Sequence, residues 1–181
     1  EQQKLKRIRR NRATTIDGAD IELNANIELP EDVASAKENG ATGVGLFRTE
    51  FLFLNRGDLP SEDEQFEAYR QVVRNMKSSC ITIRTFDLGA DKQPEGYTRV
   101  APNPALGQRA IRLCLAEPQL FHHQLRAILR ASNYGRIRIL IPMLSNVREI
   151  DQSLRLIAEA KESLDIGGIA YDRKIEIGGM I

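Results

Sequence analysis

Five short apolar runs alternating with helical patterns constrain this chain more than any other feature of its sequence. After the turn dipeptide Asp17-Gly18, IELNANIEL (21–29) alternates apolar and polar residues as a strand does. A short helical stretch follows, opened by Pro30-Glu31-Asp32 and closed by Gly40, with proline in the first turn and glycine at the end. GVGLFRTEF (43–51) is the second strand. Ser61 and Glu64 carry the signature of a capping box ahead of EQFEAYRQVVRNM, whose Phe66, Tyr69 and Val73 recur at helical spacing. ITIRTFDLG (81–89), rich in β-branched residues, is the third strand. A loop with Pro94, Gly96, Pro102 and Pro104 leads into a long helical region, broken at Pro118 and ended by Gly135. RIRILIPML (136–144) is the fourth strand, NVREIDQSLRLIAEAKESL an amphipathic helix, and KIEIGGMI (174–181) the fifth strand.

Strands that alternate with helices need crossover connections, so the sheet is expected to be parallel and the class α/β. Two architectures compete, a (β/α)8 TIM barrel and an open doubly wound sheet. No G-x-G-x-x-G follows the first strand, which weakens the dinucleotide-binding form of the open sheet. The chain opens on EQQK, without a methionine, and stops within the apolar run EIGGMI. The expectation is therefore a TIM barrel truncated to about four βα units plus a fifth strand. Residues 1–20 read as the end of a connecting helix or linker, and 21–181 as the first half of the barrel. Such a half has two open strand edges. An isolated piece is expected to associate through them, or to be disordered around the loop at 87–103.

Two of the predicted strands finish on arginine, Arg48 and Arg84, each followed by threonine. In either architecture ligands gather at the carboxyl ends of the strands. Two guanidinium groups on one rim repel each other unless an anion lies between them, and their planar forks match a phosphate or carboxylate. The reading is a small, multiply charged anion bound at the rim. Local pairing, Arg48 with Glu50 and Arg84 with Asp87, is the alternative. Arg109 is a third candidate, because Asn103, Pro104 and Gly107 read as a loop entering a helix start, where free N–H groups attract anions. Arg112, one turn on, reads as a surface or salt-bridging residue. Asp87, Asp91 and Lys92 either line the same rim or tie down their own loop.

Bulk properties remove several other functions. The 181 residues are 41% hydrophobic and 28% charged, with a net charge of +1, so no global field argues for nucleic acid or a membrane surface. No apolar run approaches the length of a membrane span, and no signal peptide opens the chain. Cys80 and Cys114 lack metal or redox spacing and read as packing residues. His122 and His123 are neighbours in mid-helix, facing about 100° apart, so at most one can face the core.

Taken together, GVGLFRTEFLF, ITIRTFDLGADK, NPALGQRAIR, LRAILRAS and RILIPMLSNVREI resemble enzyme I of the bacterial phosphoenolpyruvate (PEP):sugar phosphotransferase system. The resemblance lies in that family's C-terminal PEP-binding barrel and runs from about Asn24 to Ile181. PEP synthase and pyruvate phosphate dikinase share the barrel and related arginine motifs. The run LFRTEFLFL…LPSEDEQFEAYR is more similar to enzyme I, and the nitrogen-related paralogue of enzyme I matches nearly as well.

The resemblance implies a PEP–protein phosphotransferase, which takes the phosphoryl group of PEP onto its own histidine and passes it to the phosphocarrier protein HPr, starting sugar uptake. Arg48 and Arg84 match the family's PEP-binding arginines, and Arg109 a further active-site arginine. The family implies Mg2+ in the full-length enzyme, with ligands beyond Ile181, and a cytoplasmic homodimer. Its acceptor histidine belongs to a separate N-terminal domain, and its catalytic cysteine also lies beyond Ile181. His122 and His123 match no family histidine, so the fragment alone is expected to be inactive. A dikinase or synthase barrel, and a non-catalytic protein that only senses PEP, stay open as alternatives.

Overall fold

A computed structural model of the chain describes residues 9, 11–54, 56, 58–77, 79–88 and 109–181. Along it run β1 (Asn24–Ile27), α1 (Asp32–Glu38), β2 (Gly43–Arg48), α2 (Glu62–Met76), β3 (Ile81–Arg84), α3 (Ile111–Ala116), α4 (Pro118–Ser132), β4 (Ile137–Ile141), α5 (Val147–Ile166) and β5 (Glu176–Gly179). All neighbouring strands are parallel, and their order in the sheet is β1-β2-β3-β4-β5. That order decides between the two expected architectures. A doubly wound sheet reverses direction at a switch point, whereas a barrel adds each strand beside the last. The helices follow suit, α1 packing on α2, α2 on α4 and α4 on α5. The fold is therefore α/β, with a barrel-like arc of five strands backed by helices.

Local chemistry explains where the elements start and stop. Ser61 Oγ accepts from Glu64 N at 3.2 Å, and Glu64 Oε2 accepts from Ser61 N at 2.8 Å, completing the expected capping box of α2. Pro118 opens α4, and the break before it falls at Glu117, whose backbone leaves the helical region as a residue before proline tends to do. Gly40 takes a φ of +90°, which a side chain would resist, and so ends the turn after α1.

All five strands are shorter than the runs expected for them, and for two of them the local cause is visible. The run 21–29 pairs only over Asn24–Ile27, because the Asp32 carboxylate accepts from the N–H groups of both Glu28 and Leu29 at 2.9 Å and starts the turn into α1 early. The run 43–51 stops at Arg48 and coils into a 3-10 turn over Thr49–Leu52, closed by Phe53 N donating to Glu50 O at 3.0 Å. The loop residues Asn103, Pro104 and Gly107, the charged pair Asp91 and Lys92, and most of the 87–103 stretch lie outside the described residues.

The core lies between sheet and helices. Val44, Phe47, Ile81, Ile83, Ile137, Ile139 and Ile141 point from the strands into a layer formed by Tyr69, Val72 and Val73 of α2 and Leu125, Ile128 and Leu129 of α4, all at most 3% exposed. Strand alternation then fixes the opposite face. Phe47 and Ile83 are buried under the helices, so the next residues, Arg48 and Arg84, turn to the other side of the sheet.

Candidate functional site

Arg48 and Arg84 are register partners across β2 and β3. Like charges directly opposite on adjacent strands are destabilising unless something intervenes. What intervenes is Glu50. Its Oε1 accepts from Arg84 Nη2 and lies 3.5 Å from Arg48 Nε. The 3-10 turn makes this possible, because it swings Glu50 back over the strand ends instead of continuing along β2. Arg48 also reaches Glu28 Oε1 at 2.6 Å and stacks 4.8 Å above the Phe51 ring. Arg84 Nη1 lies 3.1 Å from Asp87 Oδ2.

Asp87 extends the chain of charges to Arg109, whose Nε donates to Asp87 Oδ1 at 3.1 Å. The three candidate arginines thus share one wall, alternating with carboxylates. They line a pocket of about 460 Å3 together with Asn26, Leu46, Glu50 and Asp87. Burial is uneven along this wall. The Glu50, Asp87 and Arg84 side chains are 8%, 7% and 12% exposed, whereas Arg48 and Arg109 are both 39% exposed. Arg84 is the rigid centre and the other two are its accessible flanks.

Sequence reasoning treated local pairing and an anion site as alternatives. Both expected pairs are present, Arg48 with Glu50 and Arg84 with Asp87, so no bound anion is needed to hold the guanidinium groups together. Yet a guanidinium has five N–H donors, and Arg109 spends only its Nε on a described acid. Among the described residues, the buried side-chain polar atoms without a partner are Glu50 Oε2 and Arg84 Nε, from residues that line this pocket, and Thr85 Oγ1, from the next residue in the chain. Orphaned buried groups cost about 1–3 kcal/mol each, so the two at the pocket mark a place not satisfied by the described residues.

Behind the rim, a buried polar network secures the strand ends. Thr49 Oγ1 donates to the Arg84 carbonyl at 2.8 Å. Gln124, from α4, donates to Thr49 Oγ1 at 3.1 Å and to the Tyr69 hydroxyl at 3.3 Å, and accepts from Phe86 N at 2.8 Å. Tyr69 in turn donates to Gln65 Oε1 at 3.2 Å. Burial pushes the Tyr69 hydroxyl above its usual range, so it remains a neutral donor. Glu28 and Gln124 were not identified from sequence. Gln124 carried a signal, since it falls in the stripe of Phe121, Leu125 and Ile128, where an apolar residue is expected.

The remaining candidates lie elsewhere or are inert. Arg112 donates to Ser145 Oγ at 3.5 Å and lies 3.6 Å from Glu149, at the start of α5. Cys114 is fully buried, and burial, reinforced by the Asp87 charge, pushes its thiol up to about 12. His122 is half-buried on α4 and His123 exposed. Among the described residues, no three His, Cys, Asp or Glu side chains come together to hold a metal ion. No helix among them is long and apolar enough to cross a membrane.

Comparison with known proteins bears on this geometry. A family model described as "PEP-utilising enzyme, PEP-binding domain" matches residues 2–181. A phosphoenolpyruvate-protein phosphotransferase of Cupriavidus necator is 54% identical over the whole chain, which covers 32% of that relative. The protein of the same name from Bacillus subtilis is 47% identical over 91% of the chain and 29% of its own length. The one from Staphylococcus epidermidis is 43% identical over the whole chain and 32% of its own length. The chain thus spans about a third of the length of these curated relatives.

Proposed function

The chain belongs to the PEP-utilising enzymes through their PEP-binding domain, and on that premise we propose that it supplies the substrate-binding rim of a phosphoenolpyruvate–protein phosphotransferase. The observation that carries this reading is the pairing of Arg48 with Arg84 at the carboxyl ends of neighbouring strands, with Arg109 joined to them through Asp87.

In the proposed reaction the bridging P–O bond of PEP breaks as a P–N bond forms to a histidine of the enzyme. The enolate left behind takes up a proton and becomes pyruvate, and the phosphoryl group passes on to HPr. The transition state spreads charge over the three equatorial phosphoryl oxygens, so the protein contributes mainly position and fixed positive charge. Arg84 is suited to the fixed part. Held between Glu50 and Asp87, it presents its donors with little reorganisation. Arg48 and Arg109, more exposed, are suited to closing on the ligand from either side.

Magnesium neutralises charge on PEP when bound in such enzymes. The rim carboxylates Glu50 and Asp87 are engaged by arginine, and among the described residues no ligand set forms, so the proposal follows the family resemblance and assigns the metal to ligands of the full-length enzyme beyond Ile181. The acceptor histidine, HPr docking, a homodimer and a cytoplasmic location belong to the proposed full-length enzyme. So does the division into a linker over 1–20 and a barrel half over 21–181.

Calorimetric titration of PEP into the full-length enzyme tests the reading. Binding is expected in the wild type and lost in the Arg48→Ala, Arg84→Ala double variant. Equal binding by both proteins would show that the rim is not the PEP site.

A further inference from the structure

We infer that Gln124 is a positioning residue for the arginine rim, holding both strand ends in place from the helix behind them. The inference rests on the reading of that rim as the PEP site. At the end of β3 the sheet runs out of partners. Thr85 N still donates to Leu140 O of β4 at 2.9 Å, but Phe86 N has no strand left to bond to and donates instead to Gln124 Oε1 at 2.8 Å. The other end of the same amide donates to Thr49 Oγ1, directly after Arg48, and that hydroxyl donates to the carbonyl of Arg84 itself. One side chain thus fixes the residue after one arginine and, through it, the carbonyl of the other, and holds directly the backbone two residues beyond that second arginine.

Gln124 is 1% exposed and Thr49 is fully buried, so neither touches a ligand in the pocket. Their effect on chemistry is through geometry. A buried amide whose two ends are both committed cannot rotate or flip without orphaning a partner. It therefore sets the spacing of two guanidinium groups that must meet one phosphoryl group, and a misplacement of about 1 Å at such a site can cost on the order of a hundredfold. Tyr69, by contrast, accepts from the same amide nitrogen but bonds onward to Gln65 of α2, not to either strand end.

PEP-dependent autophosphorylation of the full-length enzyme, measured beside Tm, separates positioning from stability. Gln124→Met keeps the length of the side chain and removes its three hydrogen bonds. Tyr69→Phe removes one of those bonds but keeps Gln124's ties to Phe86 and Thr49. Both are expected to lower Tm, but only Gln124→Met to lower kcat/KM for PEP, by about tenfold to a hundredfold. Equal kcat/KM in the two variants would overturn the inference. If Gln124→Met does not fold, Thr49→Val cuts the same link at its far end and is judged by the same comparison. Arg84→Lys is the control for the underlying reading: an unchanged kcat/KM there would sink the rim itself, whatever Gln124 does.

Discussion

Two arginine–carboxylate clusters lie on opposite sides of this sheet, and they are built for different ends. On the helical side, Glu62 at the start of α2 accepts from Arg126 Nε at 2.7 Å and Arg130 Nη1 at 2.6 Å, both from α4. Arg130 stacks 4.2 Å above Phe66, and Arg126 also donates to Ser163 of α5, so the cluster ties three helices together. Burial alone would raise the Glu62 carboxyl, but its two arginines hold it below the usual range. On the rim side, Glu50 and Asp87 also bridge arginines and are buried more deeply. There, however, Glu50 Oε2 and Arg84 Nε are left without a described partner. Neither the alternation of charges nor the deeper burial of the rim carboxylates explains why one cluster is structural and the other is not. Satisfaction does: the first cluster is closed and the second is open toward a pocket.

The sharpest way to break this contrast is Arg84→Lys in the proposed full-length enzyme. An ammonium keeps the charge but loses the planar fork, and PEP-dependent autophosphorylation is expected to fall by about 10²–10³-fold. The matching change in the closed cluster, Glu62→Gln, is expected to leave that rate alone and to lower stability by about 1–2 kcal/mol in urea unfolding. A rate that falls with Glu62→Gln would end the division of labour between the clusters.

Arg109→Ala probes the accessible flank. With Nε as its single described hydrogen bond and 39% of its side chain exposed, it should weaken PEP binding by about 1 kcal/mol with little change in Tm. The smallest effect is on pH dependence. The backbone N–H of Ser61, with Arg56 next, depresses Glu64 to about 2 from an ordinary 4.5. A depressed carboxyl contributes stability that is fully present above the ordinary value and is lost as pH falls toward 2. Glu64→Gln, which keeps an oxygen for the Ser61 N–H, should flatten the acid limb of a Tm-against-pH curve in that window.

What the chain's sequence discloses about this site is uneven, for physical reasons. Arg48 and Arg84 are legible because strand ends are set by local pattern, and the side of the sheet follows from alternation. The capping box at Ser61 and the break at Pro118 are legible for the same reason, since each depends on residues within one turn. Glu50 was readable only as a neighbour of Arg48. Its bridge to Arg84 needs the 3-10 turn, which reverses the chain although the run expected as a strand continues in sequence to Phe51. Glu28 and Gln124 act across 20 and 38 residues of sequence, on Arg48 and Phe86, and no local period reports such contacts.

The sequential strand order has a consequence for how the molecule comes into being. Each strand pairs with the one made just before it, so the sheet can lengthen from its amino end as the chain leaves the ribosome. The arginine pair needs only β2, β3 and α4, all complete by Ser132. Its foundation can therefore be in place before the fourth strand has been synthesised, and later units are added to a rim whose spacing is already decided.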